Sequence, residues 1–323
     1  MSRAQLTSTV EQNTGGAVSP YVAGKNKIIN GDFSINQRNF TSITAGNTYG
    51  FDRWQMQTSG PMIITYTPQT FTPGAAPVAG YEGKNFARIV NGTASDVSNA
   101  SVFCQKIEDV RTFAGQTVTV SFWAKAASGT PSVTVELYQY FGTGGSPSAD
   151  VSGIGAVKQA ITTSWARYTA TIAVPSMSGK TIGTNLDSQL QVLLWTSGGS
   201  NFNSRNNSLG IQSNTFDFWG VQVEAGSVAT PFTTATGTLS GELAACMRYY
   251  EEVPFRSRGT DTAVTDVIMV YFNVIKRTTP SITITVLTGT IPGIGINLPN
   301  GVGVTLTGSP YDTVSTIKSN SEL

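Results

Sequence analysis

Several segments of the chain alternate apolar and polar residues with a period of two. TVTVSFWAKA (residues 117–126) and SVTVELYQYF (residues 132–141) are separated by a Ser-Gly-Thr-Pro turn, and ITTSWARYTATIAVP and DSQLQVLLWT continue the pattern. This period places successive side chains on opposite faces of a strand, while Gly, Ser and Pro favour turns. The pattern predicts an all-β domain, a jelly-roll β-sandwich, over residues 27–236.

The phrase FDFWGVQVEAGSVATPF, residues 216–232, alternates like a strand and then breaks at Glu-Ala-Gly-Ser. It predicts the last strand of the sandwich, followed by the exit of the chain from that domain. Gly220 and Val221 are expected to let this strand pass close to a neighbour, because glycine adds no side chain.

After the exit the apolar period changes to that of a helix. SGELAACMRYYEEV begins with Ser240 as the predicted N-cap of a short helix around 240–250. The apolar face of this helix is predicted to comprise Leu243, Met247 and Tyr250. Because β-patterned segments follow, residues 237–323 are predicted to form a smaller β-sandwich module with one short helix.

Residues 1–26 are polar and show neither a helical nor a strand period. Such a segment cannot bury enough apolar surface to fold alone, and it gains order only by docking. We therefore expect an extended N-terminal arm that attaches the chain to a partner.

Charged residues make up 12% of the chain, and the formal net charge is +1. Lys and Arg form no basic run, so binding to nucleic acid is not expected. No segment approaches the ~18 to 20 apolar residues of a membrane span, so membrane insertion is not expected either. Neutral polar side chains must cover the surface, as is typical of β-rich structural proteins.

The sequence contains no histidine, which excludes Ser-His-Asp and Cys-His nucleophiles. Paired carboxylates remain as a hydrolytic route, but the acidic residues are scattered, and Glu251 and Glu252 point to opposite faces of a strand. We therefore expect a protein that is not an enzyme. Cys104 and Cys246 have apolar neighbours and are predicted to be buried thiols, not parts of a disulfide or a zinc site.

Several phrases together resemble a known family. They are KNKIINGDFSINQRN (residues 25–39), YGFDRWQ (residues 49–55), SFWAKA, TTSWARY, the exit phrase above, GELAACMRYYEEV and KRTTPSITI. This set is similar to the carbohydrate-binding-like jelly roll of bacteriophage tail fibres and related virion proteins. The chain has no collagen-like, heptad or β-helix repeat, so it lacks the shaft of a long fibre.

The resemblance implies a bacteriophage virion structural protein, a tail fibre or receptor-binding component that recognises host-surface glycan. It would be assembled in the host cytoplasm and would contact other virion proteins through the N-terminal arm. The resemblance also implies a homotrimer. A head-decorating or capsid-fibre protein with the same modules is the main alternative, and a polysaccharide-degrading tail enzyme is a further one.

Alternation on three predicted strands leaves aromatic and polar side chains on the face away from the core. Flat rings beside hydrogen-bonding groups suit sugar rings, but Tyr and Trp are also enriched at subunit interfaces. Both interpretations, glycan binding and an interface, therefore apply to these candidates. They are Trp123, Lys125, Glu136, Tyr138, Tyr140, Gln191 and Trp195.

Asp32 and Asp217 are candidates for a structural calcium site, which jelly-roll carbohydrate modules of this kind often contain. The alternative is a turn hydrogen bond for Asp32 and a strand-end one for Asp217, because calcium requires about six to eight oxygen ligands. No other cofactor is expected.

The YGFDRW phrase has the composition of a sugar clamp. The alternative is that its aromatic residues, Phe51 and Trp54 among them, anchor an early strand in the core. In that interpretation Asp52 and Arg53 form a local ion pair.

Overall fold

The computed structural model describes residues 24–259, 266–288, 293–306 and 311–323. Of the predicted arm, residues 1–26, positions 1–23 therefore lie outside the described residues. Asn26 already belongs to the first domain, because its side-chain amide donates hydrogen bonds to the carbonyl oxygens of Val221 (3.3 Å) and Thr233 (2.9 Å).

The first domain is built from short strands with one small helical segment between the last two. A 3₁₀ turn, Ser200–Phe202, leads directly into the helix α1. The elements are β1 (Thr48–Tyr49), β2 (Trp54–Ser59), β3 (Ile64–Thr70), β4 (Asn85–Asn91), β5 (Ala100–Glu108), β6 (Thr117–Ala126), β7 (Ser132–Tyr140), β8 (Val151–Ala160), β9 (Ala166–Ala173), β10 (Gln189–Gly198), α1 (Asn203–Asn206) and β11 (Thr215–Ala225).

These strands form two antiparallel sheets. Strands β1, β2, β5, β10, β7 and β8 make, in that order, a six-stranded sheet, and β3, β4, β11, β6 and β9 make a five-stranded one. Phe103 of the first sheet stacks on Phe218 of the second with ring centroids 5.7 Å apart, and Phe51 and Trp54 are fully buried in the same core. The predicted jelly-roll sandwich is confirmed.

Strand β11 has an irregularity at the predicted close approach. Its register with β6 shifts between Trp219 and Gln222, and Gly220 has a φ of 61°, in the left-handed region. A Cβ at this position would lie 2.7 Å from the ring of Trp123, which is too close for any side chain. An indole on the neighbouring strand thus requires glycine here.

The exit phrase, residues 216–232, folds back over the side of the five-stranded sheet that points away from the sandwich core. Glu224 accepts hydrogen bonds from the backbone N–H and the hydroxyl of Thr230, both at 2.8 Å, and Lys25 pairs with the same carboxylate. The chain then places Phe232 on Trp219, with ring centroids 5.2 Å apart. The phrase therefore covers the sheet as it leaves the domain.

The second domain has two three-stranded sheets around its own apolar core. The sheets have the orders β12-β17-β14 and β13-β16-β15, and Phe255, Val302, Val304 and Ile317 are buried within this core. The elements are α2 (Leu239–Met247), β12 (Tyr250–Gly259), β13 (Asp266–Tyr271), β14 (Ser281–Thr288), β15 (Gly293–Leu298), β16 (Gly301–Leu306) and β17 (Tyr311–Asn320).

The N-cap of helix α2 lies two residues before the predicted one. Its N-cap is Thr238, whose hydroxyl accepts a hydrogen bond from the Gly241 N–H (3.1 Å), so the prediction of Ser240 was wrong. Both residues are hydroxyl-bearing, and the sequence pattern alone does not distinguish them. In the described ranges no helix is long and apolar enough to cross a membrane.

The predicted apolar face of α2 was wrong in part, because Tyr250 is buried but belongs to β12 and not to the helix. The helix buries Glu242 and Cys246, whereas Leu243 and Met247 are only half-buried. Glu242 faces inward because its carboxylate accepts a hydrogen bond from the backbone N–H of Asn30 (2.7 Å) in the first domain. A hydrogen-bonded carboxylate thus takes a position that periodicity assigns to an apolar side chain.

Asp52 and Arg53 do not form the predicted local ion pair. Asp52 accepts hydrogen bonds from the backbone N–H (2.7 Å) and side-chain amide (2.8 Å) of Gln37, whereas Arg53 pairs with Glu322 and lies 3.4 Å over the ring of Tyr249. The two side chains contact different parts of the chain. Arg53 therefore joins the two domains.

Cys104 and Cys246 are buried free thiols, as predicted. Burial raises the pKa of Cys104 to about 12 and that of Cys246 well above its ordinary value. Both thiols therefore stay protonated and unreactive at neutral pH.

Candidate functional site

Most of the predicted site residues lie on one surface, the side of the six-stranded sheet that points away from the sandwich core, here called the outer face. On it Gln191 of β10 pairs with Tyr138 of β7 on one side and with Lys106 of β5 on the other. The adjacent row pairs Gln189 with Tyr140. The predicted residues that the structure brings together here are Glu136, Tyr138, Tyr140, Gln191 and Trp195.

Trp123 and Lys125 do not belong to this surface, which corrects the prediction. Both lie on β6, in the five-stranded sheet on the opposite side of the sandwich. The indole of Trp123 is only 9% exposed, because Trp219 and Phe232 pack against it at 5.4 and 6.3 Å between ring centroids. Alternation indicates which side of a strand faces the core. It does not indicate to which sheet the strand belongs or which loop covers it.

Glu136 is fully buried on the outer face, and its carboxylate is surrounded by donors. It accepts hydrogen bonds from the indole N–H of Trp195 (2.7 Å), from two nitrogens of Arg205 (2.9 and 3.1 Å) and from the backbone N–H of Gly153 (2.6 Å). Trp195 is itself only 2% exposed and packs against Phe202. Glu136 and Trp195 therefore support this face from beneath and do not present a surface to a ligand.

Arg205, which the sequence analysis did not identify, is central to the outer face. It lies on α1, and its guanidinium is 5.2 Å from the centroid of the Tyr138 ring and 5.1 Å from that of Trp195. The ion pair with Glu136 fixes the guanidinium between these rings. No local signal indicated this role, because α1 is a four-residue helix in a polar loop, 69 positions from Glu136 in sequence.

Gln191 and Tyr140 are two half-buried polar groups of the outer face that remain free for a ligand. Both are half-buried, and neither side chain hydrogen-bonds to another described residue. The hydroxyl of Tyr138 donates to Asp150 (2.6 Å). Burial, together with the charge and hydrogen bond of Asp150, raises the pKa of Tyr138, so this hydroxyl is neutral at physiological pH.

Beside Arg205 the outer face forms a groove of about 130 Å³. Val102 and Leu193 make its apolar floor, and Asn47 and Gln57 line the side opposite Arg205. An apolar floor with amide and guanidinium donors at its rim suits a sugar ring, which has C–H groups on its faces and hydroxyls at its edge.

The two calcium candidates are each engaged by protein groups. Asp32 accepts a turn hydrogen bond from the Ser34 N–H (3.3 Å) and another from the Tyr81 hydroxyl (2.9 Å), and Asp217 forms a two-point ion pair with Arg88 (2.7 and 2.9 Å). In the part of the chain that the structure describes, no group of three or more Cys, Asp or Glu residues is placed to hold a metal ion. Calcium binding stays a prediction.

Residues 72–189 match the family model described as "Carbohydrate binding domain". The matched segment begins two residues after β3, ends at the first residue of β10 and thus lies within the first sandwich. No curated protein matches the chain.

Several solved structures are similar to the chain at low identity. One is the enzymatically active domain of tailspike protein 4 of bacteriophage CBA120, with 15% identity and a TM-score of 0.37, where the similarity covers 64% of this chain but only 22% of that one. Another is the family 11 carbohydrate-binding module of Clostridium thermocellum in complex with a β-1,3-1,4-mixed-linked tetrasaccharide, with 10% identity, a TM-score of 0.34 and coverage of 58% and 96%. A third is the CBM22-1 xylan-binding domain of Paenibacillus barcinonensis Xyn10C, with 12% identity, a TM-score of 0.31 and coverage of 64% and 98%.

Proposed function

We propose that the chain is a bacteriophage virion structural protein, a tail fibre or receptor-binding component, that binds host-surface glycan without cleaving it. The observation that carries the proposal is the outer face, where the free polar groups of Gln191 and Tyr140 lie beside the ring of Tyr138. The match of residues 72–189 to a carbohydrate-binding domain family supports the same ligand class. The virion role rests on the resemblance of the sequence phrases, and residues 1–26 are the proposed contact with other virion proteins.

The test compares purified wild-type protein with Gln191→Ala and Tyr140→Ala on an array of bacterial surface polysaccharides. Each variant should weaken binding about tenfold, because each removes one protein side chain that would hydrogen-bond to the ligand or stack on it. Gln116→Ala, at an exposed glutamine just before β6 of the five-stranded sheet, is the matched control and should bind like wild type.

The same variants placed in phage particles distinguish glycan binding from a subunit interface. Lost adsorption to host cells with normal incorporation supports the glycan site. Lost incorporation means that the outer face is an interface, and a wild-type protein that binds no polysaccharide contradicts the function. Gold-labelled antibody then shows whether the protein lies on the tail or the head.

A homotrimer is part of the proposal, and an uncovered apolar surface on the second domain supports self-association. On the outer side of the β13-β16-β15 sheet, register places Met269 and Tyr271 on one flank and Ile296 and Leu298 on the other, with Gly301 and Gly303 as the floor between them. Tyr271 is 65% exposed, Ile296 is 48% exposed and Leu298 is 44% exposed. The side chains named on this surface carry no charge, so a second copy of the same surface is a chemically matched partner.

Light scattering should return about three times the 34.1 kDa chain mass for the wild-type protein. Ile296→Asp should lower the mass to that of one chain, because a carboxylate would be desolvated in the contact. Ile63→Asp, at an isoleucine of the first domain that is more exposed than Ile296, is the control and should keep the wild-type mass. A wild-type monomer at micromolar concentration would contradict the trimer.

A further inference from the structure

A second groove, with a volume of about 390 Å³, lies between the two domains. We call it the interdomain groove. Its lining is mainly polar and includes three arginines, of which Arg111 comes from the first domain and Arg248 and Arg277 come from the second. The groove therefore exists only when the two domains are docked.

Arg277 differs from the other two arginines of the interdomain groove because it has no ion-pair partner among the described residues, although the charges of Glu108 and Asp187 act on it from a longer distance. Arg111 pairs with Asp109 at 3.1 Å, and Arg248 pairs with Glu108 at 2.7 Å. Arg277 instead donates to two backbone carbonyls, those of Leu186 (2.7 Å) and Ser321 (3.2 Å). Among the described residues no carboxylate lies within ion-pair distance of Arg277, so none occupies the direct contact that an anionic ligand would make.

The geometry holds Arg277 in place without using all its donors. Its backbone N–H bonds to the carbonyl oxygen of Arg248 (3.0 Å), and the preceding Lys276 is buried in an ion pair with Glu251. Its Nη2 has no partner among the described residues. A planar guanidinium with a free edge is suited to a carboxylate or a phosphate, which it can bind with two parallel hydrogen bonds.

The interdomain groove continues the outer face. Leu186 and Ser188 line the groove and lead directly into β10, where Gln189 pairs with Tyr140. On the other side Gln189 pairs with Glu108, which also lines the groove. A chain of sugars lying across the tyrosines of the outer face would therefore run towards the interdomain groove that Arg277 lines.

We propose that the interdomain groove is an anionic subsite of the outer face and that the glycan carries a carboxylate or phosphate group which pairs with Arg277. This inference rests on the proposed glycan-binding function and names the class of glycan. It also assigns a role to the second domain, since the first domain alone lacks both Arg248 and Arg277.

The experiment uses the full-length protein and an array on which each bacterial polysaccharide is printed in three forms. These are the native form, the form with its carboxyl groups reduced to alcohols, and the dephosphorylated form. Wild type should bind at least one native acidic polysaccharide about tenfold more tightly than one of its neutralised forms, a factor typical of one charge-assisted hydrogen-bonded pair. The form that loses binding identifies the anion as carboxylate or phosphate.

Arg277→Gln should bind the native and neutralised forms equally, with the weaker affinity, whereas Arg277→Lys should keep a preference for the native form. Lys84→Gln removes an exposed positive charge elsewhere on the first domain and should behave like wild type. Equal wild-type binding to native and neutralised forms, or a preference that survives Arg277→Gln, would overturn the subsite. Glycan binding without that preference, still weakened by Gln191→Ala, would leave the proposed function intact, whereas no binding at all would overturn both.

Discussion

Glu136→Gln should lower the free energy of unfolding by about 3 kcal/mol, the loss expected when one partner of a buried, hydrogen-bonded ion pair is removed. The carboxylate accepts from the Trp195 indole, from two nitrogens of Arg205 and from the Gly153 N–H. A glutamine of the same shape has one oxygen and one N–H₂ group, so some of these donors would face another donor inside the protein. Urea unfolding followed by circular dichroism measures the change.

Two further variants make this prediction specific. Glu252→Gln removes a partly exposed carboxylate that pairs with Lys318 at 3.2 Å and accepts from the Tyr250 hydroxyl, and it should lower the free energy of unfolding by about 1 kcal/mol or less. The double variant Glu136→Gln/Arg205→Met should lose less free energy of unfolding than the sum of the losses for the two single variants. The reason is that Arg205→Met removes the guanidinium that Glu136→Gln leaves unpaired. A loss for Glu136→Gln no larger than that for Glu252→Gln would show that the buried network contributes little.

Glu322→Gln should uncouple the two domains. Arg53 is 1% exposed and Glu322 is 4% exposed, and in the described chain no other carboxylate forms an ion pair with Arg53. Removing the charge of Glu322 leaves a buried guanidinium unpaired, which costs about 3–5 kcal/mol in comparable pairs. Because Arg53 contacts the second domain through Glu322 and Tyr249, the loss should fall on the contact between the domains.

Calorimetry is the measurement for this second change. We expect one unfolding transition for wild type and two separate transitions for Glu322→Gln, with the second domain unfolding first because its core is smaller. Glu252→Gln, a matched change in the same domain, should keep a single transition. Superimposable curves for Glu322→Gln and wild type would mean that the interface does not depend on this pair.

Loss of the interdomain contact also affects the proposed anionic subsite. Glu108, which lines the interdomain groove, binds Arg248 (2.7 Å) and the hydroxyl of Tyr249 (2.8 Å), and Lys106 on the outer face donates to the carbonyl oxygen of Leu323 (2.5 Å). These contacts join the outer face to the second domain. Glu322→Gln should therefore weaken the preference for anionic glycan more than it weakens binding to neutral glycan.

The strands were predictable from the sequence because their information is local. Alternation over 117–126 reproduces the bounds of β6, and the segment 132–141 exceeds β7 by one residue. The glycine at position 220 likewise indicated a close approach that the structure contains. Each of these features depends on the side-chain period of a strand or on the absence of a Cβ.

The membership of the candidate site was only partly predictable. Alternation placed Glu136, Tyr138 and Gln191 on outward faces of strands, and they do share one surface. It also grouped Trp123 with them, although β6 belongs to the other sheet and the exit phrase covers that indole. Strand order comes from long-range pairing, and a single sequence contains no signal for it.

By itself the sequence of this protein determined an all-β chain, a late strand with a close approach, a change to a short helix and two buried thiols. Tertiary structure alone decided that Glu136 is held by Arg205, that Arg53 pairs with Glu322 and that Arg277 has no acidic partner among the described residues. The reason is physical. Periodicity and backbone geometry act within a few residues, whereas charges are paired by whichever groups folding brings within a few ångströms, here up to 284 positions apart.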